Sequence, residues 1–138
     1  MANEPTIVST DTPEWGVIGG GINEFNNQQV GLENSDLICY ILKMPDDEVV
    51  GGVIGITQWN WFFLNLMWIR EDYRQQGFGS RLLKSAENEA RVRGAEKAYL
   101  DTFSFQAPGF YEKHGYEIFG ELQDFPPGHQ RYYMVKTL

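Results

Sequence analysis

This 138-residue sequence has few cysteines, few basic residues and no long apolar run. Its one cysteine, Cys39, excludes an intrachain disulfide, and its neighbours Ile38 and Tyr40 predict a thiol packed in the core. Eleven Lys and Arg stand against nineteen Asp and Glu, for a formal charge of −8. That balance disfavours nucleic acid or an anionic membrane as partner and tilts slightly toward a cationic one. No apolar stretch approaches the roughly 20 residues that a membrane-spanning helix needs. The opening MANEPTIVSTD has neither the basic region nor the hydrophobic run of a secretory signal, so a cytoplasmic protein is expected.

What the chain does have is enough apolar surface for a core. Hydrophobic residues make up 42% and aromatics 14%, and the length suits a single domain over residues 1–138. Its organising stretch is residues 67–80, MWIREDYRQQGFGS. An apolar run ending at Met67, Trp68 and Ile69 leads through a charged connection into Arg74, Gln75, Gln76, Gly77, Phe78, Gly79 and Ser80. Beyond it Leu82, Leu83, Ala86 and Ala90 fall on one helical face. Strand, glycine turn and helix start follow one another. The first turn of a helix carries backbone N–H groups without intrahelical partners and the positive end of the dipole. Glycines there let an anion approach the backbone closely, so the stretch reads as a phosphate-binding turn.

The spacing excludes two familiar phosphate motifs. Leu82 stands where a dinucleotide fingerprint needs its third glycine, and no G-x-x-x-x-G-K-[ST] is present. What stands here is R-x-x-G-x-G, Arg74 to Gly79, and about thirty residues later comes Phe110-Tyr111-Glu112-Lys113-His114-Gly115-Tyr116. In this order and separation the two segments resemble the pyrophosphate motif and the F-Y-x-K-x-G-[FY] helix end of the GNAT N-acetyltransferases, and the likeness covers most of the chain. The sequence departs from that pattern at Glu71, where proline is usual, and at Ser104, where asparagine is frequent.

The resemblance implies acetyl-CoA as cosubstrate, no metal, and an amine of a small molecule or protein as acceptor. The backbone of Gln76 to Ser80 would hold the pyrophosphate, with Arg74 and Gln75 in the same turn and Lys113 within reach of a phosphate. Backbone N–H groups of Met67, Trp68 and Ile69, Ile69 foremost, would stabilise the carbonyl oxygen, and Ser104 would donate to the pantetheine arm. Tyr111 takes the position of the general acid toward the leaving thiolate. Taken without the motif, Tyr111 reads as a packed tyrosine with a satisfied hydroxyl. No general base stands out: Glu24, Glu33, Asp101, His129 and a water chain remain open. His114 reads as a capping or packing residue.

Taken in order, the chain predicts a short strand at residues 6–9 and a side-chain cap ahead of Pro13. A helix over residues 14–29 follows, broken or bent at Gly19-Gly20-Gly21. Strands are expected at 37–42, buried on nearly both faces, and at 49–57, 61–69, 97–102, 116–122 and 131–136. Helices are expected at 80–94 and 107–114. This is an α+β fold around a mixed, mostly antiparallel sheet flanked by helices. An acyl-CoA-binding sensor without turnover is the alternative function. The aromatic run 59–63 reads either as core or as the contact of a homodimer.

Overall fold

The computed structural model describes residues 3–138, so Met1 and Ala2 of the N-terminal reading lie outside it. The chain forms two compact units, one ending at Glu33 and the other spanning Asn34–Leu138.

The first unit holds α1, Trp15–Val30, an unbroken 16-residue helix. The predicted break at Gly19-Gly20-Gly21 does not occur. Glycine lowers helix propensity, but it keeps its N–H and brings no clash, so the hydrogen-bond ladder continues through it. The predicted cap is absent as well: the N-cap is Glu14, without a side-chain hydrogen bond. Thr10 and Thr12 bond each other instead, with their hydroxyls 3.0 Å apart. Residues 6–9 form no strand.

The second unit is built on one six-stranded sheet. Its strands are β1 (Asp36–Lys43), β2 (Val49–Gln58), β3 (Trp61–Ile69), β4 (Lys97–Phe103), β5 (Glu117–Gln123) and β6 (Gln130–Thr137). They lie in the order β1-β2-β3-β4-β6-β5, antiparallel except for the β3–β4 pair. A short 3₁₀ turn, Glu71–Tyr73, leads from β3 to α2, Phe78–Val92, and α3, Pro108–Lys113, joins β4 to β5. The expected mixed sheet with flanking helices is therefore present, with boundaries shifted by one or two residues.

Strand alternation places Ile38, Val53, Phe62, Leu64, Leu100 and Met134 in one core with Leu82, Leu83, Ala86 and Ala90 of α2. β1 departs from expectation. Only Ile38 is fully buried on it, while Leu37, Tyr40 and Ile41 are exposed. It is an edge strand with one covered face, and Cys39, on the other face, is exposed rather than a core thiol. The aromatic run 59–63 is divided by the same alternation. Phe62 is buried, Trp61 and Phe63 flank Tyr99 on the opposite face at 5.8 and 4.8 Å, and Trp59 sits in the hairpin turn at φ 50°.

A buried polar cluster in this unit has no counterpart in the sequence reading. Glu87, 3% exposed, accepts from the Tyr116 hydroxyl at 2.8 Å and from Lys136 Nζ at 2.9 and 3.0 Å. It ties α2 to the start of β5 and to β6. Burial, and then the Glu87 carboxylate, push the Tyr116 phenol far above its ordinary range.

Candidate active site

The site begins with a bulge in β3. Ile54 pairs with Leu66 and Gly55 with Leu64, so Asn65 is the extra residue. A bulge reverses side-chain parity and bends its strand. Before it Phe62 and Leu64 face the core; after it Met67 and Ile69 do. β3 then parts from β4. The two strands pair only at Trp61–Lys97, Phe62–Ala98 and Phe63–Tyr99, although β3 continues six residues further and β4 four. A wedge-shaped gap opens between them.

The register decides which backbone groups line that gap. Arg70 N–H donates to Val50 C=O at 2.8 Å. Arg70 and Val50 are thus a hydrogen-bonded antiparallel pair, and pairs alternate along the ladder. Trp68 is therefore bonded to Gly52, while the N–H groups of Met67 and Ile69 point away from β2, into the gap. Of the three residues expected to supply donors, Met67 and Ile69 can, and Trp68 is spent in the sheet.

The glycine turn closes the same end of β3. Arg74 Nε donates to the Ile69 carbonyl at 2.8 Å, and Gln76 Nε2 to the Asp72 carbonyl at 3.0 Å. Asp72 pairs with Arg70, whose guanidinium holds that carboxyl below the usual carboxylate range, and Arg70 also pairs with Glu48. Gln75 and Gly77 both adopt positive φ, 61° and 85°. Gly77 is the N-cap of α2, and its carbonyl accepts the first intrahelical bond, from Arg81 N–H at 3.2 Å. The N–H groups of Phe78, Gly79 and Ser80 consequently have no helical partner. A methyl on Gly77 would meet no protein atom within 4 Å, and one on Gly79 would press on Ile69 and Phe110 at 3.3 Å. This turn keeps open space before it and close packing behind it, which suits a diphosphate in front of the helix.

α3 supplies the third wall. Tyr111 is 8% exposed, its ring 5.2 Å from Phe110 and 5.9 Å from Tyr116. Burial pushes its phenol up to about 12. Among the described residues no fully buried side-chain N or O lacks a hydrogen-bond partner. No described residue bonds the Tyr111 hydroxyl, so that oxygen keeps access to open space. Tyr111 is packed as a core tyrosine would be, but its hydroxyl has no partner among the described residues. Lys113 is exposed at the end of α3 and makes no ion pair among the described residues. Ser104 is tied to β6: its N–H donates to Gln130 C=O at 2.8 Å and its Oγ accepts from Gln130 N–H at 3.0 Å. Its hydroxyl hydrogen and one lone pair remain for a ligand.

Two residues with little sequence signal join the site. His114 Nδ1 lies 2.8 Å from the Phe110 carbonyl and Nε2 2.9 Å from Ser80 Oγ, which links α3 to the first turn of α2. Arg131 on β6 grips Asp101 Oδ1 at 2.6 and 3.0 Å, with the rings of Phe103, Phe125 and Tyr133 5.1–5.5 Å from its guanidinium carbon. Asp101 is thereby committed to an ion pair. His129 is exposed, edge-on to Phe105 at 5.1 Å. Glu24 and Glu33 belong to the first unit.

Comparison with known proteins gives the family. Residues 35–118 match the description of the acetyltransferase (GNAT) domain. The chain belongs to the GNAT acetyltransferase family. It is 40% identical over 92 residues to the blasticidin-S acetyltransferase of Streptomyces morookaense, covering 66% of this chain and 68% of that one. The crystal structure of an acetyltransferase from Bacillus cereus is similar over 100% of both chains, with a TM-score of 0.90 and 30% identity. The PaiA N-acetyltransferase of Thermoplasma acidophilum, solved with coenzyme A, shares the fold at a TM-score of 0.61 and 20% identity, over 91% of this chain and 74% of that one. The GNAT chain described here is an acetyl-CoA-dependent N-acetyltransferase, and the sensor without turnover gives way to an enzyme. Among its described residues no helix is long and apolar enough to cross a membrane.

Proposed function

We propose that this enzyme acetylates a free amine on a small, positively charged molecule in the cytoplasm, by direct attack on the thioester within the gap between β3 and β4. The observation that carries this reading is the three-residue pairing of those strands, beside the open first turn of α2. A thioester lying along the gap reaches the outward N–H groups of β3 at one end and the anion turn at the other.

In this reading the N–H groups of Gly77, Phe78, Gly79 and Ser80 hold the pyrophosphate. Arg74 fixes the turn through Ile69 rather than gripping the anion alone, and Lys113 adds positive charge. The amine arrives largely protonated and loses its proton to water before attack. As its nitrogen bonds the carbonyl carbon, the oxygen becomes negative and takes a hydrogen bond from Ile69 N–H, a contribution of about 2.7–4 kcal/mol where such donors have been removed. As the adduct collapses its nitrogen gives its surplus proton to water, the carbon–sulfur bond breaks, and the sulfur takes a hydrogen bond and then a proton from Tyr111, which solvent replaces. A phenol near 12 gives up its proton to a thiolate only where the thiolate is equally desolvated. The buried setting of Tyr111 is of that kind.

The acceptor class rests on two supports. A formal charge of −8 favours a cationic partner, and the similar Streptomyces protein is named for a small-molecule antibiotic. Thiol release from acetyl-CoA with blasticidin S, other cationic small-molecule amines, and peptides with free amino groups tests it. Turnover with the cationic small molecules and little with peptides is expected. Turnover confined to peptides overturns the reading.

A further inference from the structure

His114 makes two hydrogen bonds whose polarity can be worked out. The Phe110 carbonyl can only accept, so the Nδ1 2.8 Å away carries a hydrogen. In a neutral ring Nε2 is then a bare acceptor, and the Ser80 hydroxyl 2.9 Å from it must donate. Ser80 is the third residue of α2, inside the turn assigned to the pyrophosphate. With its hydrogen turned to His114, the hydroxyl presents lone pairs to an anion and cannot donate to it. When the ring takes a second proton, Nε2–H becomes the donor to Oγ, and the serine hydrogen is released to point at a phosphate oxygen.

We propose that His114 is a positioning residue for the cosubstrate, setting through Ser80 whether the first turn of α2 grips the pyrophosphate with a hydroxyl as well as with backbone N–H groups. This rests on the reading that the turn holds the pyrophosphate. Each binding event favours the form in which the serine donates, so acetyl-CoA binding takes up a proton at the ring and release of coenzyme A returns it. Affinity is then higher in mildly acid solution and falls as pH rises. The other charged groups on the two helices that carry the pair are well placed to leave this exchange alone. Glu112 and Lys113 on α3, and Arg81 and Lys84 on the exposed side of α2, face solvent, Glu87 on the buried side of α2 is paired with Lys136, and among the described residues no carboxylate pairs with the ring. At the end of β3, Arg74 is committed to Ile69.

Calorimetric titration of acetyl-CoA from pH 5.5 to 8.5 into wild type, Ser80→Ala and His114→Gln tests the proposal. The cofactor's own phosphomonoester titrates near about pH 6, so each profile is compared with the others rather than read alone. Wild type should gain about tenfold in affinity over the alanine variant at the acid end and converge with it at the alkaline end, the size of a charge-assisted hydrogen bond. His114→Gln should lose the same pH-dependent part. Parallel profiles for wild type and Ser80→Ala overturn the proposal, and so does a ¹⁵N spectrum showing the neutral His114 proton on Nε2. Should His114→Gln unfold, the serine variant still decides. Failure of the underlying site reading looks different: saturating acetyl-CoA would leave the amide signals of Gly77, Gly79 and Ser80 unmoved in wild type.

Discussion

Arg74 turns back on its own strand: its Nε donates to the carbonyl of Ile69, five residues earlier, at 2.8 Å. The N–H and C=O of a strand residue point to the same side. The bond therefore restrains the residue whose own N–H is aimed into the gap, and it anchors the turn before α2. One side chain holds both the proposed oxyanion donor and the proposed pyrophosphate cradle.

Replacing Arg74 by Lys keeps the charge and loses the planar donor. If the cation acted only as a charge, steady-state kinetics would barely change. We expect KM for acetyl-CoA to rise at least about fivefold and kcat to fall with it, since both ends of the thioester lose alignment.

Tyr111→Phe removes the one hydroxyl on α3 that reaches open space. The expected result is a fall in kcat of about a hundredfold, with acetyl-CoA affinity nearly unchanged. An unaltered kcat ends the assignment of Tyr111 as acid.

The same buried phenol links stability to alkaline pH. Below about pH 10 Tyr111 is neutral in both folded and unfolded chains. Between that and about 12 the unfolded chain ionises while the folded one does not, so folding loses stability over this window. Two units correspond to about 3 kcal/mol at most. Urea unfolding at pH 8 and pH 11 should show the loss, and Tyr111→Phe should recover part of it. Tyr116, raised further, adds to the same trend.

Glu87 tests the buried cluster. Glu87→Ala leaves Lys136, whose side chain is 18% exposed, without its counter-charge and the Tyr116 hydroxyl without its acceptor. A cost of about 3–5 kcal/mol in urea unfolding is expected. The double change Glu87→Leu with Lys136→Met should restore most of it, because the unpaired charge is gone; a double variant no more stable than the single one would contradict this account.

Much of the fold was legible in residue pattern. The strands expected at 49–57, 61–69, 97–102 and 131–136 lie within one residue of β2, β3, β4 and β6, and the apolar positions 82, 83, 86 and 90 marked α2 and its buried face. The errors have local causes. Cys39 and its neighbours form an apolar run, and pattern cannot tell a strand covered on both faces from an edge strand covered on one. Gly19-Gly20-Gly21 weakens a helix without breaking it. Ser104 was expected as a donor to a pantetheine arm, and its tie to Gln130, 26 residues away, was not legible. The links from His114 to Ser80 and from Glu87 to Lys136 span 34 and 49 residues, and no spacing rule reaches that far.

By itself the sequence determined that Gly77 and Gly79 open a helix after a strand, and that an aromatic pair with a lysine ends a later one. Both are properties of neighbouring residues, set by backbone sterics and hydrogen-bond supply. The tertiary structure alone decided that Asn65 would be extra, which turned Met67 and Ile69 inward and parted β3 from β4. It also decided that the Tyr111 oxygen would have no partner among the described residues. Register and enclosure are properties of several strands and helices at once, and each depends on groups far apart in the chain.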